Sequence, residues 1–195
     1  MKNKKITISN ILTVLLMLFT IAVLFSARVK SWVIMGLMAT GFYNPPIPVI
    51  KPGEKLMLAP AMLVQSADGK LNDVQQLKGK VVFINFWATW CPPCLAELPS
   101  VNDLYLKVKN NPDIVFMAVD VDNNLPKSSH FLKSNGYTLP VYGASLKGLP
   151  TQFYSGTIPT TIVIDKRGLV VYNHVNKANY SDQKFVDYLI DLSKK

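Results

Sequence analysis

Two stretches in the middle of the chain are almost continuously apolar. KVVFINFWA covers residues 80–88, and DIVFMAVDVD covers residues 113–122 and ends in acidic residues. Runs of about four to eight apolar residues, rich in β-branched and aromatic side chains, are typical of strands that are buried on both faces of a sheet. We therefore predict that these stretches form two core strands of one sheet.

Three segments have the helical spacing of apolar residues. Residues 92–109 place their apolar side chains on one stripe, and Pro99 should kink the helix that they form. Residues 127–135 predict a short helix that ends at Gly136, because glycine accepts the backbone conformation that follows a helix. Residues 181–192 predict a closing amphipathic helix. Its inward-facing residues are expected to be Phe185, Val186, Leu189 and Ile190.

Shorter strands complete the pattern. Residues 61–66 and 139–142 have the composition of strands, and Asn72 is placed to cap a short helix between them. Near the C-terminus, TTIVID and LVVYNHV flank the turn residues DKRG, which predicts a β-hairpin. The order strand, helix, strand, then hairpin and helix indicates an α/β fold with a central mixed β-sheet and helices on both faces.

The N-terminal part of the chain is apolar over a longer stretch. After Lys2, Lys4 and Lys5, residues 6–27 carry no charged side chain. A helix of this length spans about 33 Å at ~1.5 Å per residue, enough for a hydrocarbon core of ~30 Å. We predict one N-terminal transmembrane helix that acts as a signal-anchor. A cleaved signal peptide is the alternative, although Leu24 and Phe25 are bulky where a cleavage site needs small residues.

Residues 31–50 predict a connection between this span and the rest of the chain. Residues 31–43 are apolar but too short to span, and Trp32 is typical of a membrane interface. A second, short span is the alternative. Stiff linker residues follow at Pro45, Pro46 and Pro48. The predicted organisation is a cytoplasmic tip and signal-anchor at 1–30, a juxtamembrane segment and Pro-rich linker at 31–50, and one domain at 51–195.

The distribution of charge argues against a nucleic-acid-binding protein. The formal net charge is +9, but residues 51–195 hold 16 Lys or Arg against 12 Asp or Glu, without a nucleic-acid-binding motif in the sequence. We expect no nucleic-acid partner. The three lysines before the span, against Arg28 and Lys30 after it, predict an N-terminus in the cytoplasm and a domain outside the cytoplasmic membrane.

The chain has two cysteines, Cys91 and Cys94, in the motif WCPPC. The motif lies where a buried strand is predicted to end and a helix to begin, and a helix N-terminus stabilises a thiolate. Pro92 and Pro93 suit the first helical turn and stiffen the loop. Cys94, one turn into the helix, is close enough to attack a mixed disulfide on Cys91. These features predict thiol–disulfide exchange, with Cys91 as the nucleophile and Cys94 as the resolving thiol.

Other roles for the two cysteines fit the sequence less well. A structural zinc site needs four ligands, and the two histidines that could complete it, His130 and His174, fall in a predicted helix and at a predicted strand end. A purely structural disulfide across so short a loop would remove little chain entropy, and it stays the alternative to a redox-active one. We predict no metal and no cofactor.

Two sequence motifs and the N-terminal span together resemble the TlpA/ResA-like family of membrane-anchored thioredoxins. The motifs are NFWATWCPPCLAELP at residues 85–99 and SGTIPTT at residues 155–161. The resemblance covers residues 61–192 and implies a thioredoxin fold, extracytoplasmic exposure and a redox-active disulfide Cys91–Cys94. It also implies a cis bond between Ile158 and Pro159 beside the cysteines, where Ile158 offers backbone hydrogen bonds to the substrate.

One position departs from thioredoxin itself, which carries a buried aspartate on the strand before the motif. Here Asn85 occupies that position and cannot take up a proton, whereas Glu97 matches the ResA-like pattern. We expect Glu97 to tune the thiols and to shuttle a proton; an ordinary solvated helix carboxylate is the alternative. Trp87 and Trp90 are interpreted as packing and a lid around the site. The expected substrate-binding residues are Trp90, Pro92, Pro93, Ile158 and Pro159.

These expectations combine into one function. We predict a membrane-anchored periplasmic thiol–disulfide oxidoreductase that reduces protein disulfides, as in cytochrome c maturation. The predicted partners are protein thiol or disulfide clients such as an apocytochrome c, a membrane thiol–disulfide electron donor, and the lipid bilayer. A disulfide oxidase or isomerase is the alternative within this class. A tethered client-binding module with incidental cysteines is the alternative outside it.

Overall fold

The computed structural model describes residues 8–38, 43–48, 55–144 and 149–195. The predictions for the lysines near the N-terminus and for a domain start near residue 51 lie outside these ranges. Helix α1 (Ile8–Phe25) has a mean hydropathy of 2.5 and is long and apolar enough to cross a membrane. The sequence predicts a span that continues to residue 27. In the structure α1 ends at Phe25, because Ser26 adopts an extended backbone and its side chain caps the separate helix α2 (Ala27–Leu37).

The centre of the fold is a mixed sheet of eight strands in the described part of the chain, in the order β1-β8-β7-β4-β5-β6-β2-β3. Neighbours β4, β5 and β6 are parallel, and the remaining pairs are antiparallel. The strands are β1 (Met57–Leu58), β2 (Leu63–Ser66), β3 (Leu71–Asp73), β4 (Val81–Trp87), β5 (Ile114–Asp120), β6 (Val141–Gly143), β7 (Thr160–Ile164) and β8 (Leu169–Val175).

The two predicted core features of the sheet are confirmed. All seven residues of β4 are buried, as its continuous apolar sequence requires for a strand that is covered on both faces. Strands β7 and β8 form the predicted hairpin, and the turn between them ends at Gly168, whose φ of 81° favours glycine. Because β4 lies between β5 and β7, the last residue of β4 is surrounded by the ends of both neighbours.

Three further helices flank the sheet. They are α3 (Pro92–Val108), α4 (Leu125–Ser134) and α5 (Gln183–Lys194). Helix α5 contacts α3 and β4, and it buries Phe185, Val186 and Leu189, whereas Ile190 is only partly buried. Helix α4 packs against β6, and its Phe131 ring lies 6.0 Å from Trp87. The architecture is a thioredoxin-like fold, a mixed sheet with flanking helices.

Two local predictions differ from the structure. Residue Asn72 belongs to β3, and Asp73 instead caps a short 3-10 helix (Val74–Leu77) by accepting a hydrogen bond from the backbone of Gln75. Residues 61–62 precede β2 rather than lie in it, because pairing with β3 begins at Leu63. Both differences arise because strand pairing, a nonlocal interaction, decides where a short element begins.

Helix α2 packs against α3 instead of standing apart from the domain. The predicted boundary at residue 30 lies inside α2, so a border between anchor and juxtamembrane segment at this residue stays a prediction.

Candidate functional site

The two cysteines lie where β4 ends and α3 begins. Cys91 is the N-cap of α3, and its Sγ accepts a hydrogen bond of 3.3 Å from the backbone N–H of Cys94. Pro92 and Pro93 occupy the first turn, where a missing N–H leaves no helical hydrogen bond unmade. A disulfide joins Cys91 and Cys94, whose Cα atoms are 5.3 Å apart. The sequence-based placement of the motif at a strand-to-helix junction is thus observed directly.

The disulfide is nearly enclosed by the protein. Cys94 is fully buried, and Cys91 retains 3% of its exposure. Of the two cysteines, Cys91 is the one that retains some exposure, so an incoming group would meet it first.

The loop before β7 lies next to Cys91. The Ile158–Pro159 peptide bond is cis, as the resemblance implied, and the Ile158 carbonyl oxygen lies 3.9 Å from Cys91 Sγ. Antiparallel pairing sets Thr160, the first residue of β7, opposite Phe86 on β4. This register places the preceding Ile158 and Pro159 level with the end of β4, where the cysteine motif starts.

Trp90 forms an exposed rim beside the disulfide. Its side chain is 55% exposed, and its indole Nε1–H donates a hydrogen bond of 2.7 Å to the carboxylate of Asp122. Strands β4 and β5 are parallel and pair Trp87 with Asp120, so the segments that follow both strands meet at the same edge of the sheet. Together with the half-buried Pro92 and Pro93, Trp90 presents an apolar surface next to Cys91.

Glu97 lies on the inner side of α3 and is completely buried. Its Oε1 accepts a hydrogen bond of 2.7 Å from Asn85 Nδ2, and its Oε2 accepts one of 3.2 Å from the backbone N–H of Ala178. Asn85 Nδ2 also donates to Thr161 Oγ1 at 3.0 Å. The alternative of a solvated helix carboxylate is therefore wrong, because the side chain is closed in by β4, β7 and the segment before α5.

Burial governs the protonation of Glu97. Loss of hydration raises the pKa of Glu97 from 4.5 to about 8, although the hydrogen bonds from Asn85 and Ala178 act in the opposite direction. The carboxyl group therefore holds a proton at neutral pH. Within the described residues, Asn85 Oδ1 has no hydrogen-bond partner, so the amide of Asn85 sits beside a protonated carboxyl with its own oxygen unused.

Two tyrosines close the same interior region. Burial raises the pKa of Tyr172 and of Tyr180 far above the ordinary value of 10, and the nearby charge of Glu97 would raise both further. Both phenols therefore stay neutral over the range in which Glu97 titrates. Glu97 and the half-buried His174, whose pKa burial lowers from 6.5, are the groups of this region that change protonation near neutral pH, apart from the cysteines after reduction.

The structure places Trp90, Pro92, Pro93, Ile158 and Pro159 beside the disulfide, and it places Glu97 on the buried side of α3, three residues after Cys94. Thr161, Ala178 and Asp122, which were not expected from the sequence, each make a hydrogen bond to one of these residues or to its partner Asn85. Thr161 directly follows the IPT motif and could have been found from it. Ala178 acts through its backbone, which carries no signal in the sequence. His130 lies on α4, whereas His174 on β8 pairs with Thr161, and its ring centre lies 6.0 Å from that of Tyr172.

Comparison with known proteins identifies relatives of this chain. Residues 51–189 match the Redoxin family. The chain is 37% identical over 113 residues to thiol-disulfide oxidoreductase ResA of Bacillus anthracis, a match that covers 58% of this chain and 65% of that protein. It is 35% identical over 133 residues to ResA of Bacillus cereus strain ATCC 10987, which covers 67% of this chain and 74% of the relative.

Solved structures agree with these relatives. A thiol:disulfide interchange protein of Chlorobium tepidum superposes with a TM-score of 0.59 at 28% identity and covers 73% of this chain and 99% of its own. A putative protein disulfide isomerase of Bacteroides thetaiotaomicron gives a TM-score of 0.62 at 27% identity, with 76% and 93% covered. With the WCPPC helix cap, the Ile158 loop and the buried Glu97 in the same thioredoxin-like fold, this chain belongs to the Redoxin family and, within it, to the TlpA/ResA-like proteins.

Proposed function

We propose that this protein is a membrane-anchored, extracytoplasmic thiol–disulfide oxidoreductase that reduces disulfides in client proteins. The observation that carries the proposal is the Cys91–Cys94 disulfide at the N-terminus of α3, with the slightly exposed sulfur on the client side and the buried carboxyl of Glu97 on the other. The curated relatives named ResA support the reaction class, although the first of them are matched over only 65% of their length.

The reaction starts from the reduced form of the pair. The Cys91 thiolate attacks one sulfur of the client disulfide, which forms a Cys91–client bond and releases the other client sulfur as a thiolate. Cys94, after loss of its proton, then attacks Cys91 Sγ. This step reforms the Cys91–Cys94 disulfide and releases the second client thiol, so that two electrons pass to the client. The N-terminal end of α3 stabilises the attacking thiolate through its partial positive charge and the Cys94 N–H.

We assign Glu97 a part in the proton movements. Residues 94 and 97 share a face of α3 because they are three apart on a helix. A carboxyl with a pKa of about 8 can hold or release a proton near neutral pH, which is the range in which a resolving thiol must lose one. In its ionised form Glu97 accepts the proton of Cys94, and in its protonated form, which prevails below about pH 8, it donates a proton during the reverse reaction.

The client-binding surface in this proposal is formed by Trp90, Pro92, Pro93, Ile158 and Pro159. Trp90 supplies an exposed apolar ring, and the Ile158 carbonyl, close to Cys91 Sγ, is placed to accept a hydrogen bond from a client backbone. An extended client peptide that binds along the loop with Ile158 and Pro159 would bring its disulfide next to Cys91, the cysteine that retains some exposure.

We place the domain outside the cytoplasmic membrane, with α1 as the anchor and the N-terminus in the cytoplasm. The length and hydropathy of α1 support the anchor, and the lysine bias of the sequence supports the orientation. Alkaline phosphatase fused after Lys195 should be active, because that reporter folds only outside the cytoplasm. Activity of a cytoplasmic reporter instead would contradict the orientation.

The client class that we favour is an apocytochrome c with an oxidised C-x-x-C-H site, and the electrons would come from a membrane thiol–disulfide donor. The test uses the full chain in detergent micelles, reduced beforehand, with an oxidised C-x-x-C-H peptide as substrate. Cys94→Ser should accumulate a mixed disulfide with the peptide, and the matched variant Cys91→Ser should not.

Equal trapping by both variants would contradict the assignment of the nucleophile. Failure of the reduced wild-type chain to reduce the peptide, combined with reshuffling of a scrambled disulfide protein, would favour an isomerase. Stable binding of the peptide without any change in its disulfide would favour a tethered binding module.

A further inference from the structure

The segment that covers Glu97 is fastened to α3 on both sides of this residue. We call residues 176–180, between β8 and α5, the strap. Its Ala178 N–H donates to Glu97 Oε2, and its Ala178 carbonyl oxygen accepts a hydrogen bond of 3.4 Å from Ser100 Oγ. The Tyr180 N–H donates to the same Ser100 Oγ at 3.2 Å. The strap is thus the layer that separates Glu97 from the outside of the protein on this side.

The outer side of the strap is held by residues that precede the domain in the chain. The backbone N–H of Asn179 donates a hydrogen bond of 2.8 Å to the carbonyl oxygen of Tyr43, and the Lys177 ammonium group lies 4.6 Å from the centre of the Tyr43 ring. Pro45 is buried, and Ile47 packs against the hydrophobic core. The expected Pro-rich linker is therefore seated on the domain in its described part, residues 43–48.

Helix α2 extends the same contact along α3. Its inner face includes the buried residues Ser31 and Met38, and the helix packs against α3. A cleft at this contact is lined by Met35 and Met38 from α2, Pro99 and Ser100 from α3, and Asn179 from the strap. We call residues 27–38 and 43–48 the N-terminal segment. It touches α3 and the strap at the positions that enclose Glu97.

An irregular segment such as the strap opens easily when its backbone groups lack fixed partners. Without the N-terminal segment, the Asn179 N–H and the outer surface of the strap would face water. Opening of the strap would remove the Ala178 hydrogen bond and admit water to Glu97. The main cause of the unusual protonation of Glu97, its lack of hydration, would then be lost.

We propose that the N-terminal segment is a positioning element of the active site, which holds the strap over Glu97 and keeps water away from this carboxyl. The inference rests on the proposed function, in which Glu97 exchanges a proton with Cys94. The N-terminal segment thus forms part of the enclosure of the site. Its displacement changes the pH dependence of thiol reactivity, although the residues around the thiols stay the same.

Few groups other than Glu97 can respond to such a displacement. The titratable groups around Glu97 and the strap are Tyr172 and His174 on β8, Tyr180 in the strap and, after reduction, the thiols of Cys91 and Cys94; Lys177 lies on the outer side of the strap against Tyr43. The two phenols stay neutral well beyond the pH range of the thiols. Burial lowers the pKa of His174, which also contacts the backbone of Lys177. A shift in the pH profile of thiol reactivity that persists in a His174→Asn background therefore reports on Glu97 or on the thiols themselves.

The test compares two variants of the full chain in detergent micelles that differ only in the face of α2. Ser31→Arg inserts a long charged side chain into the buried contact with α3. Gly36→Arg adds the same side chain at an exposed position, where a Cβ atom would meet nothing within 4 Å. Hydrogen exchange of the Ala178 and Asn179 amides and the pH dependence of thiol alkylation are measured for both variants and for the wild type.

We expect Ser31→Arg to accelerate exchange of these two amides by about tenfold or more, the scale of a local opening. The inflection of the alkylation profile that follows Glu97 should move to lower pH, by about one unit or more. Gly36→Arg should match the wild type in both measurements. Amides of β4 and β7 provide the control for folding, and Tyr43→Ala, which removes the ring under Lys177, replaces Ser31→Arg if that variant does not fold.

Wild-type protection of the strap in Ser31→Arg and Tyr43→Ala would overturn the inference. An open strap with an unchanged pH profile would overturn it as well, because the N-terminal segment would then not act on the site. If the wild-type chain reduces no disulfide at all, the proposed function fails, but the exchange of the two amides still decides whether the segment holds the strap.

Discussion

Two groups of site residues, which we call the exposed wall and the buried wall, differ in solvent exposure, polarity and hydrogen bonding. The exposed wall, formed by Trp90, Pro92, Pro93 and Ile158, is apolar and open to solvent, with Trp90 held by Asp122. The buried wall, formed by Asn85, Glu97, Thr161 and Ala178, is polar, closed to solvent and joined by hydrogen bonds.

In the proposed function, this difference divides the work of thiol–disulfide exchange between the walls. A client protein would dock from outside, which fits the exposed and apolar surface beside Cys91. A carboxyl group needs low hydration to keep a proton at neutral pH, so Glu97 lies on the inner side of α3. Changes in the exposed wall should therefore alter client binding, whereas changes in the buried wall should alter the rate, the pH profile and the stability.

The largest effect is expected from loss of the proton carrier. Glu97→Gln should lower the rate of disulfide reduction at pH 7 by about 10²-fold, the lower end for general acid–base catalysis, with little change in KM. The alkylation rate of Cys91 or Cys94 against pH should lose the inflection that we expect for the wild type near pH 8. Superimposable profiles for the two proteins would make Glu97 a structural residue only.

Glu97→Gln should also change the pH dependence of the free energy of unfolding. Folded Glu97 keeps its proton up to about pH 8, while the unfolded chain releases it near 4.5. The folded state therefore binds more protons in this window, and the free energy of unfolding should fall as pH rises from about 4.5 to 8, by up to about 1.4 kcal/mol per pH unit. Glu97→Gln should remove this slope. Denaturant unfolding of both proteins across the window measures it, and equal slopes would contradict the burial argument.

A smaller effect is expected at Thr161, which is connected to Glu97 through the amide of Asn85. Thr161→Val keeps the shape of the side chain but removes the acceptor of Asn85 Nδ2. The free energy of unfolding should fall by about 1 kcal/mol, and the Glu97-linked inflection should move because Asn85 is less firmly held. The exposed Thr151→Val serves as the control and should change neither quantity. A loss of stability without movement of the inflection would limit Thr161 to packing.

The smallest effect is expected in the exposed wall. Asp122→Ala frees the indole of Trp90 and should raise KM for a protein disulfide about threefold, the scale of one exposed hydrogen bond, with kcat and stability unchanged. Trp90→Phe, which keeps a ring but loses the N–H, should behave in the same way. Steady-state reduction of an oxidised client peptide measures both. A fall in kcat with constant KM would place Trp90 in the chemistry and not in client binding.

Much of the fold follows from patterns that are local in the chain. The continuous apolar run of β4, the hairpin of β7 and β8 and the cysteine motif at the start of α3 are each decided by the residues themselves. Buried strands need apolar side chains on both faces, and the first turn of a helix tolerates proline. The placement of Cys91 and Cys94 at the start of α3 was therefore predictable, since it depends on a spacing of three residues and on a helix terminus.

What the sequence left open depends on how segments pack and pair. The break between α1 and α2 at Ser26 lies inside a run without charged side chains, and the cap at Asp73 instead of Asn72 depends on where β2 and β3 pair. The sequence also allowed Glu97 to be solvated. Its burial requires the strap, and the strap acts through the backbone of Ala178, whose identity carries no information about its hydrogen bond.

By itself, the sequence determined the reactive pair, the strands that support it and the presence of a carboxylate one turn beyond Cys94. The tertiary structure alone decided that this carboxylate is buried, with a raised pKa, and that residues preceding the domain pack against the strap that covers it. The reason is that a side chain's chemical type is local, whereas its hydration depends on which segments of the chain, here about 80 residues later and about 50 residues earlier, pack over it.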